Sequence, residues 1–345
     1  MYVYIGLLII LYLMAVIHLK SISASAKLSI SLFLIFVVMA LKAPLYGDYS
    51  RYADHFITAS YRTIKEMAAY KGEIGFHALT KAVTYLTDNP SVYLAITAAL
   101  ICILLGKFIN RYAPTKIYAV YFYYTMGLFA FSLAGLRQVL AMSICLLAFE
   151  AIRKKKLFPF ITIVGVAFLF HKTAIIFLPA YFIAHLQWKW KNLLIVMLSI
   201  GVFSVVYRNL YIYIASWIGY EKYPMISSGN GEIFTVILLA IGVLGIIYKE
   251  QLLRVDKDNL MFLNLHFALI LLWFFRFVIG LVERPSFYYF YATIILLDKI
   301  FSLELEEDSQ NRTLRFLLIS AMMLFGLLFL YRLKRDMNLI PYILI

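Results

Sequence analysis

The sequence contains little charge. Only 14% of its 345 residues are Asp, Glu, Lys or Arg, and 64% belong to the apolar set AVILMFWYC. Its mean hydropathy is +0.87. Ordinary globular chains have about 25% charged and about 45–50% apolar residues. A soluble domain with so few charges could not cover its own surface. The composition therefore excludes a soluble enzyme, a nucleic-acid-binding protein and a disordered chain, and it indicates a protein embedded in lipid.

Cysteines and the common catalytic motifs are also scarce. Cys102 and Cys145 are the two cysteines, and both lie in apolar runs, which excludes a disulfide framework and a cysteine-based metal site. The sequence has no P-loop, no GxGxxG and no HExxH. We therefore expect no nucleotide site, no cofactor and no bound metal. A donor substrate would be a lipid reached from the membrane.

Apolar runs dominate what remains. Runs approaching the roughly 17–25 residues of a membrane-spanning helix predict an all-α, polytopic membrane protein with about twelve spans in one domain, residues 1–345. The twelve predicted spans are Tyr2–Leu19, Leu28–Leu41, Ser91–Ile109, Ile117–Leu133, Val139–Ile152, Leu157–Phe170, Thr173–Leu186, Leu193–Ala215, Ile233–Tyr248, Leu260–Val282, Phe287–Phe301 and Leu314–Tyr331.

Lysine and arginine positions predict the orientation. If both termini lie outside, more than half of the basic residues fall in the short loops and span ends on the inner side of the membrane. These residues include the Arg153–Lys156 cluster. This topology accounts for the net charge of +14. It leaves two long outer segments, residues 43–90 and residues 216–232. Within the first, the helical spacing of apolar residues over 76–88 predicts an interfacial or re-entrant helix.

Five ionisable residues at the ends of predicted spans are the candidate site. Asp48, Glu73, Arg137, His171 and Arg284 all fall on the outer side. Ionisable groups in lipid are costly unless they face a cavity or a partner, so their convergence predicts one outward-facing site. An arginine fork suits an oxyanion or a phosphate, and a neutral imidazole suits a general base.

Each candidate also has a structural explanation. Arg137 could anchor at the membrane interface, His171 could be a hydrogen-bonding residue at a helix end, and Arg284 could pair with the adjacent Glu283. Arg276, inside the predicted span Leu260–Val282, could also pair with Glu283. Outer tyrosines are typical of a membrane-interface belt. Tyr49 and Tyr52 could instead stack on sugar rings.

An ordered set of short motifs covers nearly the whole chain and resembles the EpsG family of Wzy-type polysaccharide polymerases. The motifs are Gly47-Asp48-Tyr49-Ser50-Arg51-Tyr52, Glu73-Ile74-Gly75-Phe76, Leu136-Arg137-Gln138-Val139-Leu140-Ala141, Phe170-His171-Lys172-Thr173-Ala174, Glu283-Arg284-Pro285-Ser286-Phe287-Tyr288-Tyr289-Phe290 and Ile340-Pro341-Tyr342.

The resemblance implies a fold related to GT-C glycosyltransferases, in the bacterial cytoplasmic membrane with the site facing outside. Implied substrates are undecaprenyl-diphosphate-linked oligosaccharides, as donor and acceptor of an inverting, metal-independent transfer. A chain-length regulator and a flippase are conceivable partners. The resemblance gives Arg137, Gln138, Arg284 and Arg276 substrate-binding roles. His171 is the expected base, and Asp48 and Glu73 would bind sugar hydroxyls or orient the imidazole.

Two other functions are compatible with the same residues. A ligase that moves finished glycan to a final acceptor would need the same arginines and base, and would differ only in its acceptor. A flippase for lipid-linked oligosaccharide would also need a cationic cavity. It should, however, carry basic residues through the midplane, whereas here only Arg276 lies deep in a predicted span.

Overall fold

The structure, a computed structural model, describes residues 1–17, 22–187, 232–274, 283–306, 312–334 and 339–345. Over these residues the chain is helical apart from turns and one isolated antiparallel bridge between Lys42 and Leu344. The predicted all-α class is confirmed for this part of the chain.

Seventeen α-helices and one 3-10 helix lie within the described residues. In chain order the α-helices are α1 Tyr2–Val16, α2 Ala24–Ala40, α3 Gly47–Tyr61, α4 Ile64–Lys71, α5 Ile74–Thr84, α6 Pro90–Tyr112, α7 Ile117–Thr125, α8 Leu128–Ala134, α9 Leu136–Cys145, α10 Ala148–Arg153, α11 Leu157–Phe170, α12 Ala180–Ile183, α13 Glu232–Ile247, α14 Lys249–Val255, α15 Asn259–Phe274, α16 Glu283–Glu306 and α17 Arg312–Leu333. The 3-10 helix is Lys172–Phe177.

Helix α7 lies at the centre of the fold. Each of its nine residues is buried, and it packs against α1, α2, α16 and α17. A helix that is apolar on all sides is expected in such a position, because it has no face to offer to water. The carboxylate of Asp298, on α16, accepts the backbone N–H groups of Thr115 at 2.9 Å and Ala119 at 3.0 Å. These bonds satisfy donors that the start of a helix leaves unpaired.

Large apolar side chains cover much of the outer surface. Phe158 on α11 is 82% exposed, Val236 on α13 is 66% exposed and Leu327 on α17 is 61% exposed. Exposure of this kind on several helices is costly in water but favourable against lipid tails. The surface thus agrees with the composition in indicating a membrane protein.

The described residues do not confirm twelve spans, and they support only the coarser statement that the chain is a membrane protein. Among the described residues, Pro90–Tyr112 and Leu314–Leu333 are long and apolar enough to cross a membrane. Two bent pairs, α7 with α8 at 55° and α13 with α14 at 62°, bring the number to four if each pair forms one span. Five further apolar helices have only 10–17 residues, and Leu193–Ala215 lies outside the described residues.

Three predicted spans are interrupted. Ile117–Leu133 breaks at Gly127, whose φ of 103° ends α7 and starts α8 in a new direction. Val139–Ile152 divides between Cys145 and Ala148 into α9 and α10. Thr173–Leu186 forms a 3-10 helix and the four-residue α12. Apolar runs reveal lipid or core burial, but they do not reveal backbone breaks inside the run.

The outer segment 43–90 is helical rather than irregular. It contains α3, α4 and α5, and the helix predicted within 76–88 corresponds to α5, Ile74–Thr84. The C-terminal segment closes on the start of this region, where Ala43 N–H donates to the Ile343 carbonyl at 2.8 Å. The other predicted outer segment, 216–232, lies outside the described residues except for Glu232, the first residue of α13.

Candidate functional site

Three of the five predicted ionisable residues meet in one buried cluster. The Glu73 carboxylate accepts from Arg137 Nη1 through Oε2 at 2.5 Å, and its Oε1 lies 2.6 Å from His171 Nδ1. Glu73 is 7% exposed and His171 is 6% exposed, while the Arg137 side chain is 21% exposed. The partners are 64 and 98 residues apart along the chain, so the cluster is a product of the tertiary fold.

Each member of the cluster lies at the end of a helix. Glu73 directly precedes α5, Arg137 is the second residue of α9, and His171 follows the last residue of α11. Helix ends leave the regular backbone pattern, and they place polar side chains beyond the apolar sides of the helices. The α11 end is closed by the His171 backbone N–H, which donates to the Ala167 carbonyl at 3.0 Å.

The hydrogen bonds define the tautomer of His171. A carboxylate that accepts from a guanidinium is ionised and can only accept hydrogen bonds. The short contact between Glu73 Oε1 and His171 Nδ1 therefore requires a proton on Nδ1, which donates to the carboxylate. In the neutral imidazole this leaves the lone pair on Nε2. The cluster thus holds an imidazole base in a single tautomer, with a fixed guanidinium on the other carboxylate oxygen.

Two aromatic residues hold the Arg137 side chain. The guanidinium carbon lies 5.8 Å from the centre of the Phe76 ring, in the range of a cation–π contact. Burial raises the pKa of the neighbouring Tyr52, and the positive charge of Arg137 acts in the opposite direction. Tyr52 packs edge-on against Phe76 with ring centres 6.1 Å apart. Tyr52 is therefore a member of the site, through Arg137.

Gln138 connects the cluster to the Arg284 segment. Its side-chain amide donates to the Arg284 backbone carbonyl at 2.6 Å, and Gln138 itself is 4% exposed. The Arg284 guanidinium lies 5.9 Å from the centre of the Phe131 ring, and Arg284 is exposed. Gln138 thus brings the start of α16 beside the start of α9. Arg284 is a neighbour of the cluster without a direct bond to it.

The other predicted residues have contacts of their own. Asp48 forms an exposed ion pair with Arg51 at 2.9 Å. Tyr49 is 1% exposed, and its hydroxyl donates to the Met39 carbonyl at 3.0 Å. Its ring therefore packs inside the protein, while Tyr52, one turn later, faces Arg137. Arg276 lies outside the described residues.

Two histidines beside the cluster were not predicted. The rings of His55 and His77 stack with their centres 5.2 Å apart and their planes 9° apart. Both ring nitrogens of His77 and Nδ1 of His55 are buried without a hydrogen-bond partner. Burial lowers the pKa of His77, and burial together with the neighbouring His77 lowers that of His55 to about 4. The sequence signal was the spacing of Glu73, which directly precedes α5, and His77, which follows it by four residues on that helix.

A second charged cluster lies at the opposite end of α11. Glu150 accepts from Arg153 at 2.6 Å, Lys154 at 3.0 Å and Tyr112 at 3.0 Å, and Arg111 lies 3.6 Å away. Sequence reasoning treated Glu150 as part of an apolar span. The fourteen residues of α11 separate this cluster from His171 by about 21 Å along the helix.

These features define a class: a helical membrane protein with a buried carboxylate–imidazole–guanidinium site at the helix ends. The family model of the EpsG family matches residues 26–344, nearly the whole chain, and the chain belongs to that family. This membership suggests a role in polysaccharide polymerisation. No curated protein and no solved structure gives a significant match.

Proposed function

We propose that this protein polymerises lipid-linked oligosaccharide repeat units into an extracellular or capsular polysaccharide. It transfers the growing glycan from an undecaprenyl-diphosphate carrier to the next lipid-linked unit. The observation that carries the proposal is the Glu73 carboxylate held between Arg137 and His171. This arrangement supplies the two functions that glycosyl transfer from a diphosphate requires, a base and a positive charge near the leaving group.

The base is His171. Its Nε2 lone pair accepts the proton of the acceptor hydroxyl as that oxygen attacks the anomeric carbon. The bond between the anomeric carbon and the phosphate oxygen breaks, and its electron pair stays on the lipid diphosphate. The imidazolium that forms is stabilised by Glu73, which already accepts from Nδ1, and it releases the proton at turnover. Attack opposite the leaving group inverts the anomeric configuration.

Arg137 and Arg284 stabilise the leaving diphosphate. A guanidinium is permanently charged, and it matches phosphate geometry through paired N–H donors. Arg137 is oriented by Glu73, Tyr52 and Phe76, and Arg284 is brought alongside through the Gln138 bond to its carbonyl. One oriented donor of this kind contributes about 2.7–4 kcal/mol to transition-state stabilisation. We propose a metal-independent transfer, because these arginines supply the positive charge.

The membrane arrangement completes the proposal. We propose a single domain of about twelve spans, related to the GT-C fold, in the bacterial cytoplasmic membrane with both termini and the site outside. The separation of the Glu73 and Glu150 clusters along α11 supports this orientation, because the basic Arg153–Lys156 run suits the inner surface. The donor and the acceptor then reach His171 and Arg137 from the outer leaflet.

The test is reconstitution in lipid with the organism's own undecaprenyl-diphosphate repeat unit as the only substrate. Wild-type protein should produce a ladder of polymers, with or without a metal chelator. His171→Gln should lower the rate roughly 10²–10⁴-fold, the contribution of a general base. His185→Gln is the matched control, because His185 bonds to the Tyr181 and Ile152 carbonyls at the other end of the fold.

Three results would contradict the proposal. Transbilayer movement of the lipid without a ladder would indicate a flippase. Transfer only to a different final acceptor would indicate a ligase. Equal rates for wild type and folded His171→Gln would exclude His171 as the base.

A further inference from the structure

The turn that carries Glu73 docks on the end of α11 through two glycines. Gly72 precedes Glu73, and Gly75 follows it by two residues. Both glycines face the segment that carries His171. Neither has been given a role in the mechanism above.

Gly75 permits an unusually close approach between α5 and α11. A Cβ atom at this position would lie 3.0 Å from Leu169 Cβ, 3.0 Å from Phe170 Cδ2 and 3.1 Å from Phe170 Cε2. Leu169 Cβ cannot move without the backbone of α11. A side chain as small as alanine therefore shifts α5 and α11 apart by a few tenths of an ångström, next to His171, which follows the last residue of α11.

Gly72 contributes a second contact in the same direction. Its φ of 85° is a left-handed conformation that favours glycine, and a Cβ there would lie 3.3 Å from Lys172 Cε. Lys172 directly follows His171. The two glycines thus contact the residues on either side of the histidine while Glu73, between them, reaches its Nδ1 at 2.6 Å.

We infer that Gly75, assisted by Gly72, is a positioning residue that sets the hydrogen bond between Glu73 and His171. The hydrogen bond tolerates little displacement, since contacts beyond about 3.2 Å weaken. A methyl group at Gly75 separates the donor and the acceptor, and it leaves the imidazole free to change tautomer and orientation. The effect of this substitution on catalysis rests on the proposed role of His171, whereas its effect on the hydrogen bond between Glu73 and His171 does not.

The experiment compares Gly75→Ala with Gly165→Ala in the full-length protein in lipid nanodiscs. Gly165 lies on α11 itself, and a Cβ there would meet nothing within 4 Å, so this control makes the same change without the clash. Ring ¹⁵N spectra of histidine-labelled protein report the tautomer, and His171→Gln assigns the signal among six histidines. Thermal unfolding and gel filtration establish that each variant is folded.

We expect the His171 signal of Gly75→Ala to change from one Nδ1-protonated tautomer to a mixture, while Gly165→Ala keeps the wild-type spectrum. In the polymerisation assay, kcat should fall by up to about 10-fold with little change in KM, because the displacement is smaller than the roughly 1 Å that can cost about 10²-fold. If Gly75→Ala does not fold, Gly72→Ala tests the same inference through the Lys172 contact.

The two proposals fail differently. An unchanged His171 spectrum in folded Gly75→Ala, or in folded Gly72→Ala, would overturn the positioning role. A changed spectrum with wild-type kcat would confirm the positioning role and contradict the proposed function of His171 as the base.

Discussion

Two glutamates organise the two ends of this molecule, and they differ mainly in burial. Glu73 is 7% exposed and joins one arginine and one histidine. The Glu150 side chain is 35% exposed and contacts several cations, of which Lys154 is 52% exposed and Arg111 56% exposed. Water screens charges at the Glu150 end and is largely excluded from the Glu73 end.

The difference in burial indicates which of the two clusters can take part in catalysis. Electrostatic interactions strengthen as the local dielectric falls, so a buried guanidinium and imidazole act strongly on a substrate bound beside them. An exposed network of surface ion pairs contributes about 0–1 kcal/mol per pair and imposes little order on its members. The Glu150 cluster is best explained as a solvated anchor, with Arg153 also reaching Asp258 at 3.5 Å.

The strongest test of the comparison is the same substitution at both glutamates. Glu73→Gln removes the charge that orients His171 and stabilises its imidazolium, so turnover should fall by roughly 10²-fold or more, up to the roughly 10⁴-fold limit of base catalysis. Glu150→Gln should change turnover by less than about threefold, as a surface ion pair is expected to. The ladder assay under initial-rate conditions measures both. Equal losses would remove the distinction between the two ends.

Stability should separate the two clusters next. Arg137→Leu leaves the buried Glu73 without its cation, and breaking a buried pair in this way costs about 3–5 kcal/mol. Arg111→Leu, at an exposed pair with N···O of 3.6 Å, should cost about 0–1 kcal/mol. Unfolding by denaturant in a single detergent gives both values. If Arg137→Leu and Arg111→Leu had the same stability, Glu73 would not be a buried, ionised carboxylate in the folded protein.

The smallest expected effect is a loss of stability in acid that arises at the Glu73 end. The pKa of His55 falls from 6.5 to about 4 in the folded protein, and that of His77 is lowered as well. In this pH range the unfolded chain therefore binds more protons than the folded protein. As a result, the free energy of unfolding decreases as pH falls from about 6.5 towards 4. The charges of Glu73 and Arg137 also act on this pair, in opposite directions.

The double variant His55→Phe/His77→Phe should flatten this pH dependence, because phenylalanine preserves the ring stacking without titrating. The unfolding free energy of the variant and of wild type, measured at pH 7, 6 and 5, makes the comparison. His185→Phe, at the Glu150 end, is the control, and it should leave the slope unchanged. A slope that persists in the double variant would assign the acid sensitivity to other groups.

The sequence predicted the site residues better than their partners. Arg137 and His171 were recognisable because charged and imidazole groups stood at the ends of apolar runs. The carboxylate was less certain, since Asp48 and Glu73 occupy the same outer segment and either could reach a histidine. Periodicity identifies the buried face of α3, on which Tyr49 lies, but it does not determine which neighbouring residue reaches Arg137. The structure selects Tyr52.

Carboxylates inside apolar runs were the principal omission. Asp298 and Glu150 were both counted within predicted spans, and nothing in the adjacent sequence identifies the partners of the buried Asp298. Asp298 bonds to backbone N–H groups 183 and 179 residues earlier in the chain. A group satisfied by backbone donors has no complementary side chain for a sequence pattern to reveal.

The sequence alone determined that this protein is helical and lies in lipid, because hydropathy and period depend only on the local order of residues. The sequence also predicts, from the number of helical segments between them, that the Arg137 and His171 motifs lie across the membrane from the Arg153–Lys156 run, and this orientation stays a prediction. Only the tertiary structure decided that Glu73 joins Arg137 and His171. That contact requires α5 to approach α11 as closely as Gly75 allows, and such an approach depends on distances between segments far apart in the chain.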